Sequence, residues 1–438
     1  MSQRLTVVGA GYVGLACSAC FARLGNYVTC VDGDAEKIAS LQAGRIGIYE
    51  PGLDETVAQE TEAGRLTFRV DARSAVGDAD VVFVAVGTPP DPTTGTPDLS
   101  AVLAVADAVA DTADGFIVLS VMSTVPVGTI RRLEARIAGR RYGADIAVVS
   151  NPAFVRQGKA IGDFLDADRI VVGSRDKRAL ALMETLYAPL TMRGSQFIAT
   201  TPETSELAKL ASNAFLSAKI SFVNEMARLC EKLGADADTV GKAMGLDTRV
   251  LPDVLKPGPG IGGSGLPKDA LSLARTARDA GSPLSIVETA LASDRWHRQA
   301  MVAKISEVAG GLDGKRIGAL GLAYKGGTGD VREAPALSIL SELVGGGADV
   351  TAYDPQAMDN ARAVLNGIDY AEDALGVAAD ADAVVILTEW PEFGDLDFGA
   401  LRARMRRPQL IDFRNMVAPD AARAAGLVLY ALGKAPRA

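Results

Sequence analysis

The chain has 438 residues, of which 48% are hydrophobic and 23% are charged, and it contains 46 glycines. This length allows two or three globular domains, and the composition is typical of folded α/β proteins rather than of disordered or fibrous chains. The formal net charge of −9 and the pI near 5.0 argue against nonspecific binding to nucleic acid or to an anionic membrane, while leaving room for a local phosphate site.

The ends and the reactive side chains of the sequence exclude several further classes. The opening MSQRLTVVGAG has no basic segment, long apolar segment or cleavage site, and no later segment offers about 18 consecutive apolar residues. We therefore expect a cytoplasmic protein with no membrane partner. Cys17, Cys20, Cys30 and Cys230 include one closely spaced pair but no second pair of ligands, so we expect packed, reduced thiols and no metal site. The single histidine, His297, is expected on a surface or helix face rather than in catalysis.

The first part of the chain alternates short runs rich in Val and Ile with alanine-rich helical patterns. This alternation predicts a doubly wound parallel sheet. In VVGAGYVG, Gly9, Gly11 and Gly14 form a GxGxxG pattern between a strand and a helix, which lets a pyrophosphate approach the helix N-terminus. Asp32 ends the next strand, where a carboxylate bonds a ribose 2′-hydroxyl and repels a 2′-phosphate. The pattern predicts NAD rather than NADP as the cofactor.

Two later turns are candidates for the same edge of the sheet. The segment VGTPP contains Gly87 and Thr88, and the segment STVP contains Thr124. Both segments follow strands at the carboxyl edge, where such sheets hold ligands. A plain turn at the end of a strand explains each of them equally well.

A change of pattern at Ser205 predicts one long helix. About 30 residues without Gly or Pro carry apolar positions at helical spacing up to Gly234. Glu206, Lys209 and Asn213 share one face of this helix, which on its own is best interpreted as a solvated polar stripe.

The remainder of the chain contains a glycine-rich loop, GPGIGGSGLPKD, and a second series of strand patterns (GKRIGALGLAY, ADVTAYDP, AVVILTEW and PQLIDFRN). The order is therefore an α/β unit, a helical connector and a second α/β unit. Lys325 and Arg332 follow the second glycine turn, where they are either phosphate ligands or ordinary surface charges.

Eleven segments, in order over nearly the whole chain, resemble the UDP-glucose/GDP-mannose dehydrogenase family: GAGYVGLACS, GRIGIYEPGL, GTPP, STVPVGT, NPAFVRQG, ELAKLASNAF, GGSGLPKD, GLAYKGGTGDVREAPAL, YDP, TEW and DFRN. The resemblance implies an NAD-binding Rossmann domain at 1–198, a central helical dimerisation region at 199–300 and a Rossmann-like domain at 301–438 that binds a nucleotide sugar, most readily a UDP-sugar. It also implies a homodimer. Members of the family oxidise a sugar primary alcohol twice with two NAD, through a cysteine thiohemiacetal and thioester.

Carried over one position at a time, the resemblance implies roles for individual residues. The catalytic positions are Lys209, Asn213, Asp269 and Thr124. The NAD-binding positions are Gly9, Gly11, Tyr12, Val13, Gly14, Asp32, Lys37, Gly87, Thr88, Thr124, Lys268 and Arg332. The substrate-binding positions are Phe154, Val155, Gln157, Lys209, Asn213, Arg249, Leu255, Lys256, Ile261, Gly262, Gly265, Tyr324, Lys325 and Arg414. Among these, Arg249 resembles an arginine that reaches across the dimer.

The sequence departs from the family at the centre of its chemistry. Gly265 stands where the family has its nucleophilic cysteine, and Ala153 and Gln157 replace the carboxylates of PEF-x-x-E-G. The thioester route needs a thiolate and a base, and neither position supplies one. No other cysteine is placed to substitute, since three belong to the first βαβ unit and Cys230 lies about five turns along the helix from Asn213.

The residues that remain suffice for one hydride transfer. NAD could accept the hydride, while Lys209, Asp269 and an ordered water take the hydroxyl proton. We therefore predict two-electron chemistry on a nucleotide sugar, either alcohol to aldehyde or ketone, or epimerisation by transient oxidation. Two alternatives stay open: full oxidation to a sugar acid through an aldehyde hydrate, and an inactive regulatory or scaffold protein.

Overall fold

The structure, a computed structural model, describes residues 2–91, 96–141, 143 and 145–435. The chain divides into two compact units, Met1–Ser212 and Asn213–Ala438. Each unit is built around a mainly parallel sheet with helices between its strands. The predicted fold class, two doubly wound α/β domains with a long central helix, is confirmed.

Among the described residues, eight strands form the sheet of the first unit, in the order β3-β2-β1-β4-β5-β6-β7-β8. They are β1 (Arg4–Val8), β2 (Tyr27–Val31), β3 (Leu66–Arg69), β4 (Val81–Val84), β5 (Ile117–Val121), β6 (Ile146–Ser150), β7 (Arg169–Gly173) and β8 (Gln196–Thr200). Neighbouring strands are parallel except β6 and β7, which meet in one antiparallel pair, Ser150 with Gly173. The strand order reverses between β1 and β4, and this reversal opens the crevice in which doubly wound sheets hold ligands.

The helices of the first unit cover both faces of this sheet. They are α1 (Tyr12–Arg23), α2 (Ala35–Gln42), α3 (Leu53–Glu62), α4 (Ala72–Val76), α5 (Ser100–Thr112), α6 (Thr129–Arg140), α7 (Ala160–Leu165) and α8 (Lys177–Thr191). All residues of β4 and β5 are buried, as expected for central parallel strands. In the core, the rings of Phe21 from α1 and Phe83 from β4 stack with centroids 4.7 Å apart.

The predicted long helix is α9 (Pro202–Leu233), which has 32 residues and continues across the division between the units. It begins three residues before Ser205 and ends directly before Gly234, whose φ of 71° is left-handed. A glycine at this position is a common helix terminator because it adopts that conformation without a steric penalty.

The second unit has a six-stranded sheet among its described residues, in the order β11-β10-β9-β12-β13-β14. Its strands are β9 (Arg316–Leu320), β10 (Asp349–Tyr353), β11 (Asp369–Tyr370), β12 (Ala383–Ile386), β13 (Gln409–Asp412) and β14 (Val428–Ala431). Its helices after α9 are α10 (Ala237–Gly245), α11 (Leu266–Asp279), α12 (Ser285–Ala309), α13 (Pro335–Gly345), α14 (Met358–Arg362), α15 (Pro391–Gly394), α16 (Phe398–Arg404) and α17 (Pro419–Ala424). Here the strand order reverses between β9 and β12, so the second sheet has a crevice of its own.

Candidate active site

The first glycine loop, Gly9 to Gly14, joins β1 to α1 in the first unit. Gly9 has a φ of 111°, and a Cβ there would lie 2.5 Å from the carbonyl oxygen of Ala85. A Cβ on Gly14 would lie 1.8 Å from the carbonyl oxygen of Gly9, so this glycine lets α1 pack directly on the turn. A Cβ on Gly11 would meet no atom within 4 Å, so there is free space beside this glycine. Together with the half-exposed first residues of α1, Tyr12 and Val13, this geometry fits a pyrophosphate at the helix N-terminus.

Asp32 lies at the end of β2 beside this loop. Its Oδ2 accepts hydrogen bonds from the Ala10 N–H and from Lys37 Nζ, both at 2.9 Å, and its Oδ1 accepts from the Asp34 N–H. Burial raises the pKa of Asp32, but the hydrogen bonds from Lys37, Ala10 and Asp34 outweigh it, so the pKa lies below its usual value. The carboxylate is therefore charged at neutral pH, and its predicted contact with a ribose 2′-hydroxyl stays a prediction.

The ends of β4 and β5 bring the two predicted turns together. The Thr88 hydroxyl donates to the Thr124 carbonyl oxygen at 3.0 Å. The neighbouring Ser123 hydroxyl donates to the Val86 carbonyl oxygen at 2.7 Å. Gly87, Thr88 and Thr124 thus form one connected rim next to the crevice between β1 and β4.

Glu206 is not part of a solvated stripe, contrary to the interpretation of the helix face from sequence. Only 2% of it is exposed, and its carboxylate accepts hydrogen bonds from the Gly128 N–H at 2.6 Å and from the Ile130 N–H at 2.8 Å. Burial raises the pKa of Glu206, and these backbone hydrogen bonds offset part of that effect. The contact caps the N-terminus of α6 and joins it to α9 one turn before Lys209.

Lys209 lies near an aromatic ring rather than in a stripe of charges. Its Nζ is 5.0 Å from the ring centroid of Phe154, and the Arg169 guanidinium carbon lies 4.1 Å from the same centroid. Val155 and Gln157, on the same segment as Phe154, are half-buried. Sequence analysis missed Arg169, because a single arginine at the start of a strand carries no motif signal of its own.

In the second unit, the structure brings Asn213 and Asp269 together. The Asn213 side-chain amide donates to Asp269 Oδ2 at 2.6 Å, and Lys268 Nζ lies 3.3 Å from Asp269 Oδ1. Asp269 is 1% exposed and Asn213 is 8% exposed. Asp269 is in the first turn of α11, where the helix dipole favours a negative charge.

Gly265 directly precedes α11, within reach of Asn213. Its φ of −96° and ψ of −68° are allowed for any residue. A Cβ at this position would meet only the Asn213 side-chain nitrogen, at 3.9 Å, which is ordinary van der Waals contact. Neither the backbone nor the packing of the unit requires a glycine here.

The preceding part of this loop is held by buried side chains from α9 and α12. The Gly258 N–H donates to Asn224 Oδ1 at 3.0 Å, and the Ile261 N–H donates to Asp294 Oδ1 at 2.7 Å. His297 lies in α12, on a helix face as one of the two expected positions, but it is fully buried rather than on the surface, and its Nε2 lies 2.8 Å from the Gly258 carbonyl oxygen. This contact assigns the proton to Nε2, so that Nδ1 accepts from Arg228. Burial, chiefly, lowers the pKa of His297 to about 4.

The glycines of the loop also allow close packing against the edge of the second sheet. A Cβ on Gly262 or on Gly263 would lie within 3.0 Å of Tyr324 atoms, and the Gly263 N–H donates to the Arg332 carbonyl oxygen at 3.1 Å. Arg414, after β13, donates to the Tyr324 carbonyl oxygen at 3.2 Å. Lys325 Nζ lies 5.7 Å from the Tyr324 ring centroid. The structure thus gathers these predicted residues near the crevice between β9 and β12.

Three predicted substrate residues lie on the segment before the loop. Arg249 has a side chain that is 88% exposed and pairs with Asp247 Oδ2 at 2.6 Å. Lys256 is exposed, and Leu255 is buried. The structure does not show the side chains of Arg249 and Lys256 in hydrogen bonds with the loop, among the residues it describes.

Two kinds of feature are absent from the described part of the chain. No group of three or more His, Cys, Asp or Glu side chains is arranged to hold a metal ion. No helix there is long and apolar enough to cross a membrane.

Comparisons with known proteins cover almost the whole chain. Profiles of the UDP-glucose/GDP-mannose dehydrogenase family match its NAD binding domain at residues 3–191, its central domain at 203–295 and its UDP binding domain at 318–419. The UDP-glucose 6-dehydrogenase of Rhizobium meliloti (strain 1021) is 46% identical over 99% of this chain and 100% of its own length. The UDP-glucose 6-dehydrogenase TuaD of Bacillus subtilis (strain 168) is 40% identical, over 99% of this chain and 93% of its own.

Among solved structures, a UDP-glucose dehydrogenase from the archaeon Pyrobaculum islandicum superposes with a TM-score of 0.92 at 36% identity, covering 99% of this chain and 98% of its own. The fold and the extent of these similarities agree. The chain belongs to the UDP-glucose/GDP-mannose dehydrogenase family, and it is an NAD-dependent nucleotide-sugar dehydrogenase.

Proposed function

We propose that this enzyme removes one hydride from a nucleotide sugar and does not form a thioester. The observation that carries the proposal is Gly265, which stands at the position of the family's nucleophile although nothing in the backbone or the packing demands a glycine. A Cβ fits at this position, so the glycine there supports a reaction that uses no side chain from it. The product is then an aldehyde or ketone, or an epimer formed by transient oxidation.

The four cysteines support this proposal, because all of them are buried. Burial raises the pKa of Cys20 and of Cys30 to about 12, which leaves almost no thiolate at neutral pH. We expect iodoacetamide to leave the activity of the folded enzyme unchanged. Loss of activity together with a substrate-acylated cysteine would contradict the proposal.

The roles of the polar residues follow from the chemistry of alcohol oxidation. NAD, when bound, accepts the hydride. Lys209 takes or steers the hydroxyl proton, and Asp269, oriented by its hydrogen bond from Asn213, holds a water that relays it. Thr124 lies on the rim of the cofactor site, where it positions the water near the reacting carbon. These assignments are the ones that the resemblance to the family implies.

We assign one set of residues to the cofactor and another to the nucleotide sugar. The cofactor is bound by the first glycine loop, Asp32 and Lys37, and by the rim at Gly87 and Thr88, with Lys268 and Arg332 as further contacts. The nucleotide sugar is bound at Lys209 and Asn213 and by the residues Phe154, Val155, Gln157, Arg249, Leu255, Lys256, Ile261, Gly262, Gly265, Tyr324, Lys325 and Arg414. UDP is the favoured nucleotide, because the UDP binding domain of the family matches residues 318–419.

A second candidate is complete oxidation to the sugar acid through an aldehyde hydrate, in which a gem-diol gives up the second hydride. The observation that favours it is the 46% identity to a UDP-glucose 6-dehydrogenase over the full length of that protein. The two candidates differ in the number of NADH formed for each sugar.

The decisive experiment uses a panel of UDP-, GDP-, CDP- and ADP-sugars and follows both NADH and product mass. One NADH for each sugar with an aldehyde or ketone, or an epimer without net NADH, supports the proposal. Two NADH with a sugar acid would replace it by the second candidate.

We also propose a homodimer, for which the surface of α9 provides support. Phe215, Phe222 and Leu229 follow one another at seven-residue spacing and are 69%, 47% and 48% exposed in the single chain. A repeat of seven puts large apolar side chains on one helix face, as in helices that pack against a partner. Arg249, highly exposed, is then available to a second copy.

Light scattering tests the homodimer. We expect the unmodified protein to be at least a dimer and Phe222→Glu to be monomeric. A monomer of the unmodified protein at micromolar concentration would contradict the proposal.

Two further expectations stay proposals. The free, buried cysteines fit a reducing compartment, and we propose the cytoplasm. We likewise propose the three-part division at 1–198, 199–300 and 301–438, which limited proteolysis can test.

A further inference from the structure

The segment 123–128 joins β5 to α6 and carries Thr124. Its start is fixed to the end of β4, because the Ser123 N–H donates to the Val84 carbonyl oxygen at 2.9 Å. The Thr88 hydroxyl holds the next residue, donating to the Thr124 carbonyl oxygen at 3.0 Å. The course of the remaining residues depends on how the other end of the segment is held.

That other end is held by Glu206 of α9. Glu206 Oε2 accepts a hydrogen bond from the Gly128 N–H at 2.6 Å, and Oε1 accepts from the Ile130 N–H at 2.8 Å. Both N–H groups belong to the N-terminus of α6, where the backbone donors and the helix dipole favour an anion. Because each oxygen has its own donor, the carboxylate fixes both the distance and the orientation of the segment relative to α9.

The residues between these two anchors have little conformational freedom. The ring of Pro126 restricts the backbone, and the Pro126 carbonyl oxygen accepts from the Thr129 hydroxyl at 2.6 Å. Gly128 has a φ of 93°, a left-handed conformation that closes the turn directly before α6. In a segment this short and this constrained, a displacement of the anchor at Gly128 also moves Thr124.

Glu206 lies on the helix that carries Lys209. The two residues are three positions apart in α9, which puts their side chains on the same face of the helix, one turn apart. Only 2% of Glu206 is exposed, so its carboxylate is enclosed by protein. The carboxylate thus joins the helix turn that presents Lys209 to the segment that presents Thr124.

We propose that Glu206 is a positioning residue for hydride transfer, which fixes Thr124 relative to Lys209 through the backbone of the segment 123–128. The inference rests on the proposed function, in which Lys209 takes or steers the hydroxyl proton and Thr124 positions a water near the reacting carbon. Both groups act at one reacting centre, so the rate depends on the distance between them. A misplacement of about 1 Å in an active site can cost about a hundredfold in rate.

The test compares Glu206→Gln with the unmodified full-length protein. A glutamine side chain accepts through one oxygen only and places an NH2 donor against the second backbone N–H, so one of the two bonds is lost. With UDP-glucose and NAD, we expect the single-turnover rate of NADH formation to fall at least about tenfold, while the affinities for both ligands change less than about threefold. Glu206→Asp keeps the charge on a shorter side chain and should recover part of the rate.

A double-mutant cycle with Thr124→Ala separates positioning from a general loss of stability. If Glu206 acts through Thr124, the variant that combines Glu206→Gln with Thr124→Ala should react as fast as Thr124→Ala alone. A general loss of stability would instead lower the rate by the same factor whether residue 124 is Thr or Ala. The matched control is Glu203→Gln in the first turn of α9, where the side chain is 34% exposed and pairs with Arg175, and it should keep the full rate.

Amide hydrogen exchange reports on the segment without any reaction. In Glu206→Gln, we expect the amides of residues 124–130 to exchange faster than in the unmodified protein, because one end of the segment has lost an anchor. Glu203→Gln should leave this exchange unchanged. Thermal unfolding and NAD affinity verify that each variant is folded.

An unchanged rate in Glu206→Gln, effects that multiply in the double variant, or unchanged exchange would each overturn the proposal. The proposed function fails separately. Two NADH and a sugar acid from each UDP-glucose would contradict that function, while a rate that depends on Glu206 through Thr124 would still support this inference. If the unmodified protein forms no NADH from UDP-glucose, exchange decides the role of Glu206: faster exchange supports the inference, and unchanged exchange overturns it.

Discussion

The two glycine-rich loops of this enzyme look alike in sequence but are held by different means. In the loop from Gly9 to Gly14, the backbone of the turn itself leaves no space for a Cβ on Gly9 or Gly14. In the loop from Gly258 to Gly265, buried side chains of two helices hold the backbone, and the last glycine has room for a side chain. Gly9 and Gly14 are therefore required by the fold, whereas the packing does not require a glycine at position 265.

The largest effect is expected from Gly14→Ala in the first loop. Its Cβ would lie 1.8 Å from the Gly9 carbonyl oxygen, so α1 has to move, and we expect at least about 3 kcal/mol of lost stability and no measurable NAD binding. Gly11→Ala is the control, because its Cβ meets nothing within 4 Å: the melting temperature should be unchanged while NAD affinity falls. Calorimetry and thermal unfolding measure both. A Gly14→Ala variant of normal stability would remove the distinction between the loops.

Under the proposed function, Lys209 and Asp269 should carry the proton transfer. We expect Lys209→Ala and Asp269→Asn each to lower turnover by about a hundredfold or more, with little change in nucleotide-sugar affinity, since their contacts matter mainly in the transition state. Single-turnover formation of NADH is the measurement. Lys232→Ala at the far end of α9 and Asp279→Asn at the end of α11 are exposed controls that should retain full activity. Unchanged rates in the two site variants would place the chemistry elsewhere.

One of the side chains that hold the second loop, His297, has a lowered pKa, so the stability of the folded protein should depend on pH. The pKa of His297 is about 4 in the folded protein and 6.5 ordinarily, so the unfolded chain takes up the proton first. The stability that the neutral ring provides is complete above about pH 6.5 and is lost as the pH falls towards 4, at about 1.4 kcal/mol for each pH unit.

His297→Gln tests this dependence, because its amide can donate to Gly258 and accept from Arg228 without titrating. Urea unfolding gives the free energy of unfolding of both proteins at pH 7 and at pH 5. Between these two pH values, the variant should lose about 2 kcal/mol less than the unmodified protein. An identical fall in both proteins would show that His297 does not couple the second loop to pH.

The first loop should set the choice of cofactor through Asp32. We expect NAD to bind much more tightly than NADP, and Asp32→Ala to narrow the difference by about tenfold, because the change removes a negative charge and releases Lys37 towards a 2′-phosphate. Glu36→Ala removes an exposed charge nearby and should leave the ratio unchanged. Equal affinities for the two cofactors in the unmodified enzyme would contradict the assignment of Asp32.

The smallest effect is expected at Gly265, in contrast to Gly14. Gly265→Ala should shift the melting temperature very little, since the new Cβ makes only an ordinary contact with Asn213. Gly265→Cys alone should form no sugar acid, because a thioester also needs a base; Gly265→Cys with Gln157→Glu is the smallest combination for which we expect any. Strong destabilisation by Gly265→Ala would show that this glycine, too, serves the fold.

The fold class and the NAD cofactor could be predicted from sequence because their signals are local. The period of strands and helices, the GxGxxG turn and the run without Gly or Pro that became α9 all depend on residues close together in the chain. The roles of individual site residues stay predictions, as do the domain boundaries at 198 and 300.

Residues whose environment is created by distant segments could not be predicted. Glu206 caps a helix that begins 77 positions earlier and His297 contacts a carbonyl 39 positions away, so a helical pattern could not reveal that either is buried. Arg169 depends on a strand register that the sequence does not encode in any motif. In each case the missing information is the packing of one element against another.

The burial of all four cysteines makes this protein well suited to site-specific labelling. A single thiol introduced at position 265 would be the only one outside the buried interior among the described residues, so that a maleimide probe or a trifluoromethyl tag could be attached there without prior removal of native cysteines. Its spectrum would report directly on the surroundings of Asn213 and Asp269 as cofactor and nucleotide sugar are added. Position 265, where a Cβ meets only the Asn213 side chain, thereby provides a place from which the binding of both ligands can be observed.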